Sequence, residues 1–143
     1  SSEKVITYLR EHAPMYIYSN PITQGEAAAA KEALEILDGA EGAALLEHLR
    51  AMTRRFEGGL QELGFEVLEG EHPVVPLMVR DTGETAELVQ WLTGHGVLAT
   101  GLNYPVVPSG QEEIRFQINA DHTEQDIDTV LEILEAYQNP KSA

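Results

Sequence analysis

Arg115 has the residue type and position best suited to bind a ligand. It lies in the segment Ile114–Asn119, where apolar and polar residues alternate, so Ile114 and Phe116 face one side while Arg115 and Gln117 face the other. A guanidinium held on a rigid strand can bind a carboxylate through two parallel hydrogen bonds. The alternative is an ordinary salt bridge to one of the 24 acidic residues of the chain. On spacing alone, both interpretations stay open.

A second candidate is the pair Ser19 and Asn20, which comes just before a predicted helix. Thr23, with Glu26 three residues later, has the spacing of a capping box and predicts where that helix begins. Hydroxyl and amide donors beside a helix N-terminus can bind a phosphate. The alternative is ordinary turn chemistry, because Ser and Asn before a proline are common in turns.

The third feature is the stretch Tyr104–Pro108, whose two prolines predict an extended loop. This loop either forms a pocket wall or connects two elements.

Sequence motifs of a P-loop, a dinucleotide site or a nucleophile elbow are missing. The five histidines show no i, i+4 pair, so we predict no metal site, although two histidines brought together by the fold remain an alternative.

Composition narrows the class of partner. The formal net charge is −15, from 9 basic and 24 acidic residues, which leaves no basic face for nucleic acid or for an anionic membrane. The chain has no cysteine, which excludes disulfides and thiolate nucleophiles and fits a reducing cytoplasm, the compartment we expect. No apolar stretch approaches the roughly 20 residues of a membrane span. The chain starts at Ser1 without a methionine, and we expect it to be part of a longer protein.

Periodicity and turn signals predict how these residues are positioned. Extended segments are expected at residues 15–18, 65–68, 74–79, 97–100 and 114–119, and helices at 5–10, 27–37, 41–63, from Asp81 to Leu92, and from Thr123 to a stop before Pro140. The longest helix has one apolar stripe, made of Leu45, Leu49, Met52, Phe56, Leu60 and Leu63. Helices alternating with short strands predict an α/β or α+β domain.

Six segments, taken in order, resemble the carboxy-terminal third of the α-oxoamine synthases, a family of fold-type I enzymes that use pyridoxal phosphate (PLP). The segments are Tyr16–Pro21, Arg55–Phe65, His72–Val79, Gly96–Gly101, Tyr104–Pro108 and Ile114–Thr123. Within the family, the Tyr104–Pro108 loop and the Ser19-Asn20 pair most resemble the 2-amino-3-ketobutyrate CoA ligase (glycine C-acetyltransferase) branch.

The resemblance implies a fold and a reaction. The chain would be the small carboxy-terminal domain of a fold-type I enzyme, with a short, mostly antiparallel sheet covered by helices. Residues 1–38 would form an N-terminal segment and helix that pack on a missing large domain, and residues 39–143 the small domain itself. The full-length enzyme would be a cytoplasmic homodimer that condenses a small, glycine-like amino acid with an acyl-CoA, using PLP as cofactor.

The resemblance also implies roles for the three features. Arg115 matches the arginine that holds the amino-acid carboxylate. Ser19, and with it Asn20, matches the position that reaches the PLP phosphate of the partner subunit, and the proline loop would line the acyl-CoA entrance.

The lysine that PLP catalysis requires is not recognisable in this chain. Its lysines, Lys4, Lys31 and Lys141, do not stand in a Ser-x-Lys setting. We therefore expect no catalytic residue in the chain, no Schiff base, no PLP bound to it alone, and no activity alone.

A rival hypothesis is that the chain is a free-standing, non-catalytic module with a ligand-binding or regulatory role. Arg115 would then bind an amino-acid effector. The stretch Val5–Leu37 discriminates between the two hypotheses. A domain of a larger enzyme would expose apolar surface there, whereas a self-contained module would bury it.

Overall fold

Two compact units, Ser1–Glu41 and Gly42–Ala143, make up the chain in a computed structural model that describes residues 2–68 and 70–139. The first unit contains α1 (Glu3–His12), α2 (Pro14–Ile17) and α3 (Gln24–Leu37). The next helix, α4 (Ala40–Glu62), begins at the end of this unit and continues into the second one. The predicted boundary after residue 38 falls in the two-residue turn between α3 and α4.

The prediction of an extended segment at Met15–Tyr18 is wrong, because α2 occupies Pro14–Ile17. Aromatic and β-branched residues favour strands, but Pro14 at the first helical position has the fixed φ that starts a helix. The backbone N–H groups of Ile17 and Tyr18 bond the carbonyls of Ala13 and Pro14 at 3.1 and 2.9 Å. With no partner strand beside it among the described residues, local backbone geometry decides the structure.

The second unit is a sheet with helices on one face. Its elements after α4 are β1 (Glu66–Val67), β2 (Val74–Met78), α5 (Thr82–Gly94), β3 (Thr100–Leu102), β4 (Glu113–Gln117) and α6 (Glu124–Gln138). The strands pair antiparallel in the order β1-β2-β4-β3, so the predicted fold class is confirmed. The predicted stop of α6 at Pro140 lies outside the described residues.

The third strand is displaced from its prediction. Residues 97–100 were expected to be extended, but β3 covers Thr100–Leu102, because only this stretch pairs with the start of β4. Gly101 makes this pairing compatible with α5, since an added Cβ would lie 2.9 Å from a methyl of Val89 and 3.1 Å from that of Thr85. Close approach of helix and strand therefore sets the register.

The core lies between one sheet face and helices α4, α5 and α6. The buried apolar side chains are Met52, Phe56, Leu60, Val75, Leu77, Leu88, Leu92, Ile114, Phe116, Ile118, Ile127 and Leu134. The predicted α4 stripe supplies three of them, and the rings of Phe56 and Phe116 meet edge to face at 5.0 Å. Gly64, with φ +83°, follows α4 and provides its stop, close to the predicted helix end at residue 63.

The opposite face of the sheet is not covered by a helix of this unit in the part of the chain that the structure describes. Pro76, Thr100 and Arg115 lie on it, because they are register partners across three neighbouring strands. We call this surface the open face.

Among the described residues, no helix has both the length and the apolar character needed to cross a membrane.

Candidate functional site

Arg115 lies at the centre of β4, paired with Pro76 on one side and Thr100 on the other. The strand alternation turns Ile114 and Phe116 into the core, at 0% and 5% exposure, and leaves Arg115 on the open face. The predicted side of the strand is therefore confirmed. The ligand of this guanidinium stays a prediction.

Glu113 is the carboxylate that contacts Arg115. Its Oε1 accepts hydrogen bonds from Arg115 Nη2 at 2.5 Å and Nε at 3.2 Å. The salt bridge that was the alternative interpretation thus exists. The side chain of Glu113 is 9% exposed and that of Arg115 is 48% exposed, so half of the guanidinium still faces outward. The salt bridge therefore leaves donors for a ligand.

The sequence interpretation missed Glu113 as the partner. The signal was available, because residues two apart on a strand point to the same face. The abundance of acidic residues hid it, since many carboxylates could have reached Arg115 on spacing alone.

Arg55, which belongs to another of the six segments, serves a different purpose. Its Nε and Nη2 donate to both oxygens of Asp128 at 2.8 Å, and Nη1 lies 3.4 Å from a Glu124 oxygen. The hydrogen bond from Arg55 lowers the pKa of the Asp128 carboxyl below its usual value. This arginine joins α4 to α6, and its fork is occupied by protein groups.

Ser19 and Asn20 lie exposed between α2 and α3, in the N-terminal unit. The capping box of α3 is present as predicted: Glu26 N donates to Thr23 Oγ1, while Thr23 N and Oγ1 donate to Glu26 Oε2 at 2.9 and 2.8 Å. Hydrogen bonds from Thr23, the backbone one first, lower the pKa of Glu26.

An ionised carboxylate therefore lies at the N-terminus of α3 and would repel a phosphate bound directly there. The hydroxyl of Ser19 and the amide of Asn20, outside the capping box, fit a phosphate oxygen as donors.

The proline loop runs over the surface of the second unit and includes a cis Tyr104–Pro105 peptide. The Asn103 carbonyl accepts from Val106 N at 2.8 Å and from Val107 N at 3.2 Å, which shapes the turn. Its loop character is confirmed, and the side chains of Tyr104 and Val106 are exposed. Asn103 Oδ1 is a buried oxygen for which the described residues provide no hydrogen-bond donor.

Two of the other polar side chains, His122 and Lys31, have partners within the protein. His122 Nδ1 accepts from Asn119 N at 3.3 Å, and the His122 carbonyl accepts from His48 Nε2 at 2.8 Å. Lys31 lies on the surface of α3, 2.9 Å from Glu35. Lys4 is exposed on α1, and Lys141 lies outside the described residues.

The comparisons with known proteins agree on one family. The family described as "Aminotransferase class I and II" matches residues 1–134. The mitochondrial 2-amino-3-ketobutyrate coenzyme A ligase of Mus musculus is 34% identical over 91% of this chain and 31% of its own length. The 8-amino-7-oxononanoate synthase of Marinobacter nauticus is 34% identical over 93% of this chain and 33% of its own length.

A solved structure of SPT (serine palmitoyltransferase) with a PLP internal aldimine has the same fold. Its TM-score is 0.83, with 26% identity over 98% of this chain and 35% of that one. This chain spans about a third of the length of the curated relatives it matches. On the family match and these shared relatives, the chain belongs to the aminotransferase class I and II family and, within it, to the PLP-dependent α-oxoamine synthases.

Proposed function

We propose that this chain is the carboxy-terminal small domain of a PLP-dependent acyltransferase that condenses a small, glycine-like amino acid with an acyl-CoA. Residues 39–143 would form the domain, and residues 1–38 would pack on a large domain. The names of the mouse ligase and of the Marinobacter synthase support an amino-acid acyltransferase, as does the match over about a third of their length.

The observation that carries the proposal is the half-open guanidinium of Arg115 on the open face. A guanidinium on a paired strand has a fixed backbone and donors in a planar fork, which suits a planar carboxylate. Arg115 would hold the amino-acid carboxylate and thereby fix the orientation of the Cα that reacts. PLP, when bound, supplies an electron sink for the carbanion at that carbon.

Ser19 and Asn20 would hold the cofactor phosphate in this proposal. Both are exposed donors, and they would reach the phosphate of the partner subunit in a homodimer. The Tyr104–Pro108 loop, with Tyr104 and Val106 exposed, would line the entrance for the acyl-CoA. The isolated chain would be inactive, because it supplies these contacts without a recognisable Schiff-base lysine.

The exposed apolar surface of the N-terminal unit supports a domain over a free-standing module. All three helices of this unit lack a buried residue. Its exposed large apolar side chains are Val5, Ile6, Tyr8, Leu9, Met15, Tyr16, Ile17, Tyr18, Ile22, Leu34, Ile36 and Leu37. So much apolar surface on a short segment is typical of a packing interface.

The test of the site is Arg115→Ala in the full-length enzyme. Losing a charge-assisted hydrogen-bonded pair costs about 1.5–3 kcal/mol, so we expect the glycine KM to rise roughly 10- to 100-fold. Arg54→Ala is the control, because Arg54 is exposed on α4 and lies 3.4 Å from Glu47. Unchanged glycine kinetics in Arg115→Ala would contradict the proposal.

The test of the domain assignment is the intact mass of this gene's product in its native cells. A product far heavier than the 15.7 kDa of this chain agrees with the proposal. A product near 15.7 kDa would favour the free-standing binding module instead.

The cellular compartment of the protein is a separate proposal. The lack of cysteine favours a reducing cytoplasm, while the mouse and human relatives are mitochondrial.

A further inference from the structure

We propose that Glu113 is a positioning residue, which sets the direction from which Arg115 receives a carboxylate and makes the site prefer amino acids with one carboxylate. This inference rests on the proposed function, since it requires Arg115 to bind the substrate. Glu113 lies just before the resembling segment Ile114–Thr123, and the proposed function gives it no role.

The first step is the geometry of the fork. A guanidinium has five N–H donors in one plane. Glu113 Oε1 accepts from both Nε and Nη2, so it occupies the side edge of the fork with a single oxygen. The donors that remain are those of Nη1 and the second hydrogen of Nη2. They form the outer edge, where a carboxylate can still accept two parallel hydrogen bonds.

The second step is rigidity. Glu113 opens β4 with Met78 and Leu102 as register partners on either side, and its side chain is 9% exposed. This burial restricts how far the Glu113 side chain can move when a ligand arrives. Glu113 therefore holds the Nε–Nη2 edge of the Arg115 guanidinium, and the outer edge of the guanidinium is available to the ligand.

The third step is charge. Glu113 already balances the positive charge of Arg115, and it is the one carboxylate among the described residues that pairs with it. A zwitterionic amino acid with one carboxylate adds no net charge to this pair. An acidic amino acid brings a second carboxylate within a Debye length, about 8 Å, of Glu113, so repulsion disfavours it.

The experiment measures binding of glycine and of aspartate to the full-length protein with its cofactor, followed by the cofactor's visible absorbance. Glu113→Gln keeps the side-chain shape and an acceptor oxygen but removes the charge. We expect the preference for glycine over aspartate to fall roughly tenfold, the size of a like-charge interaction at the edge of a protein. A purely structural role would change both affinities alike and leave their ratio unchanged.

The matched control is Glu112→Gln. Glu112 is the neighbouring buried carboxylate, and it accepts hydrogen bonds from Thr82 Oγ1 at 3.2 Å and Gly110 N at 2.8 Å rather than from Arg115. Its substitution should leave the glycine-to-aspartate ratio as it is.

A second variant separates orientation from charge. Glu113→Asp keeps the charge but shortens the reach to Arg115, so glycine should bind more weakly while the preference over aspartate is kept. An unchanged ratio in Glu113→Gln, together with weakened glycine binding in Arg115→Ala, would overturn the role of Glu113 alone. Unchanged glycine binding in Arg115→Ala would overturn the proposed function itself.

Discussion

The same capping motif begins one helix in each unit, yet only one of the two helices has buried residues. Thr23 with Glu26 caps α3, and Thr123 with Asp126 caps α6, each with both reciprocal hydrogen bonds. Helix α6 buries Ile127 and Leu134 in the core, whereas α3 has no buried residue. Capping and propensity thus fix where a helix begins, while burial depends on what lies opposite it.

The largest expected difference between the units comes from their leucines. Leu60→Ala removes a fully buried side chain from the core and should lower the free energy of unfolding by about 2–5 kcal/mol. Leu34→Ala, at a 68% exposed position of α3, should change it by less than about 0.5 kcal/mol. Urea unfolding of this chain followed by circular dichroism measures both. Equal losses would mean that the N-terminal unit has a core of its own.

A pair of adjacent glycines sharpens the comparison within the C-terminal unit. A Cβ at Gly59 would lie 2.3 Å from Leu131 Cδ1 and 3.1 Å from its Cγ, so the whole side chain must move. We expect this clash in Gly59→Ala to lower the free energy of unfolding by about 1–3 kcal/mol. The higher helix propensity of Ala offsets part of that loss.

Gly58→Ala is the matched control, since nothing lies within 4 Å of its added Cβ. It should stabilise the chain by roughly 0.5–1 kcal/mol through helix propensity alone. Thermal unfolding midpoints that move in opposite directions for the two variants are the expected result. A stabilised Gly59→Ala would show that α4 and α6 are not closely packed.

The two capping boxes give the smallest and most direct comparison. Thr123→Ala should cost about 1 kcal/mol in the cooperative unfolding transition, because α6 is part of the core. Thr23→Ala should reduce helix content near α3 without moving that transition. Hydrogen exchange at the first turns of α3 and α6 measures the local effect in each variant.

The Thr123 cap also has a defined pH dependence. Hydrogen bonds from Thr123 lower the pKa of Asp126 below its unfolded value of about 3.9. A depressed folded-state pKa stabilises the protein above the unfolded pKa, and the stabilisation is lost as the pH falls through the folded-state pKa. The backbone N–H of residue 123 is the main cause of this shift and survives Thr123→Ala, so the matching variant is Asp126→Asn. The difference in unfolding free energy between wild type and Asp126→Asn should be full at pH 7 and shrink below about pH 4. A difference that stays constant to pH 2 would contradict this.

Much of the fold could be predicted because its signals are local. The capping residues and the apolar stripe predicted α3, α4 and α6, and strict alternation predicted which side of β4 carries Arg115. Non-local contacts decided the rest. The register of β3 depends on how closely Gly101 lets α5 approach, and α2 replaced an expected strand at a site without a partner strand.

For the candidate site, the sequence indicated the guanidinium but not its partner. Only the folded strand shows that Glu113, rather than any other acid, is buried against Arg115.

The lengths of the outer strands affect how this chain would self-associate. Strands β1 and β3 form the two edges of the sheet and have only two and three residues. Short edges offer few unpaired backbone groups, so another chain gains little by adding a strand. Aggregation of the isolated polypeptide should therefore proceed through the exposed apolar side chains of residues 5–37 rather than by strand addition.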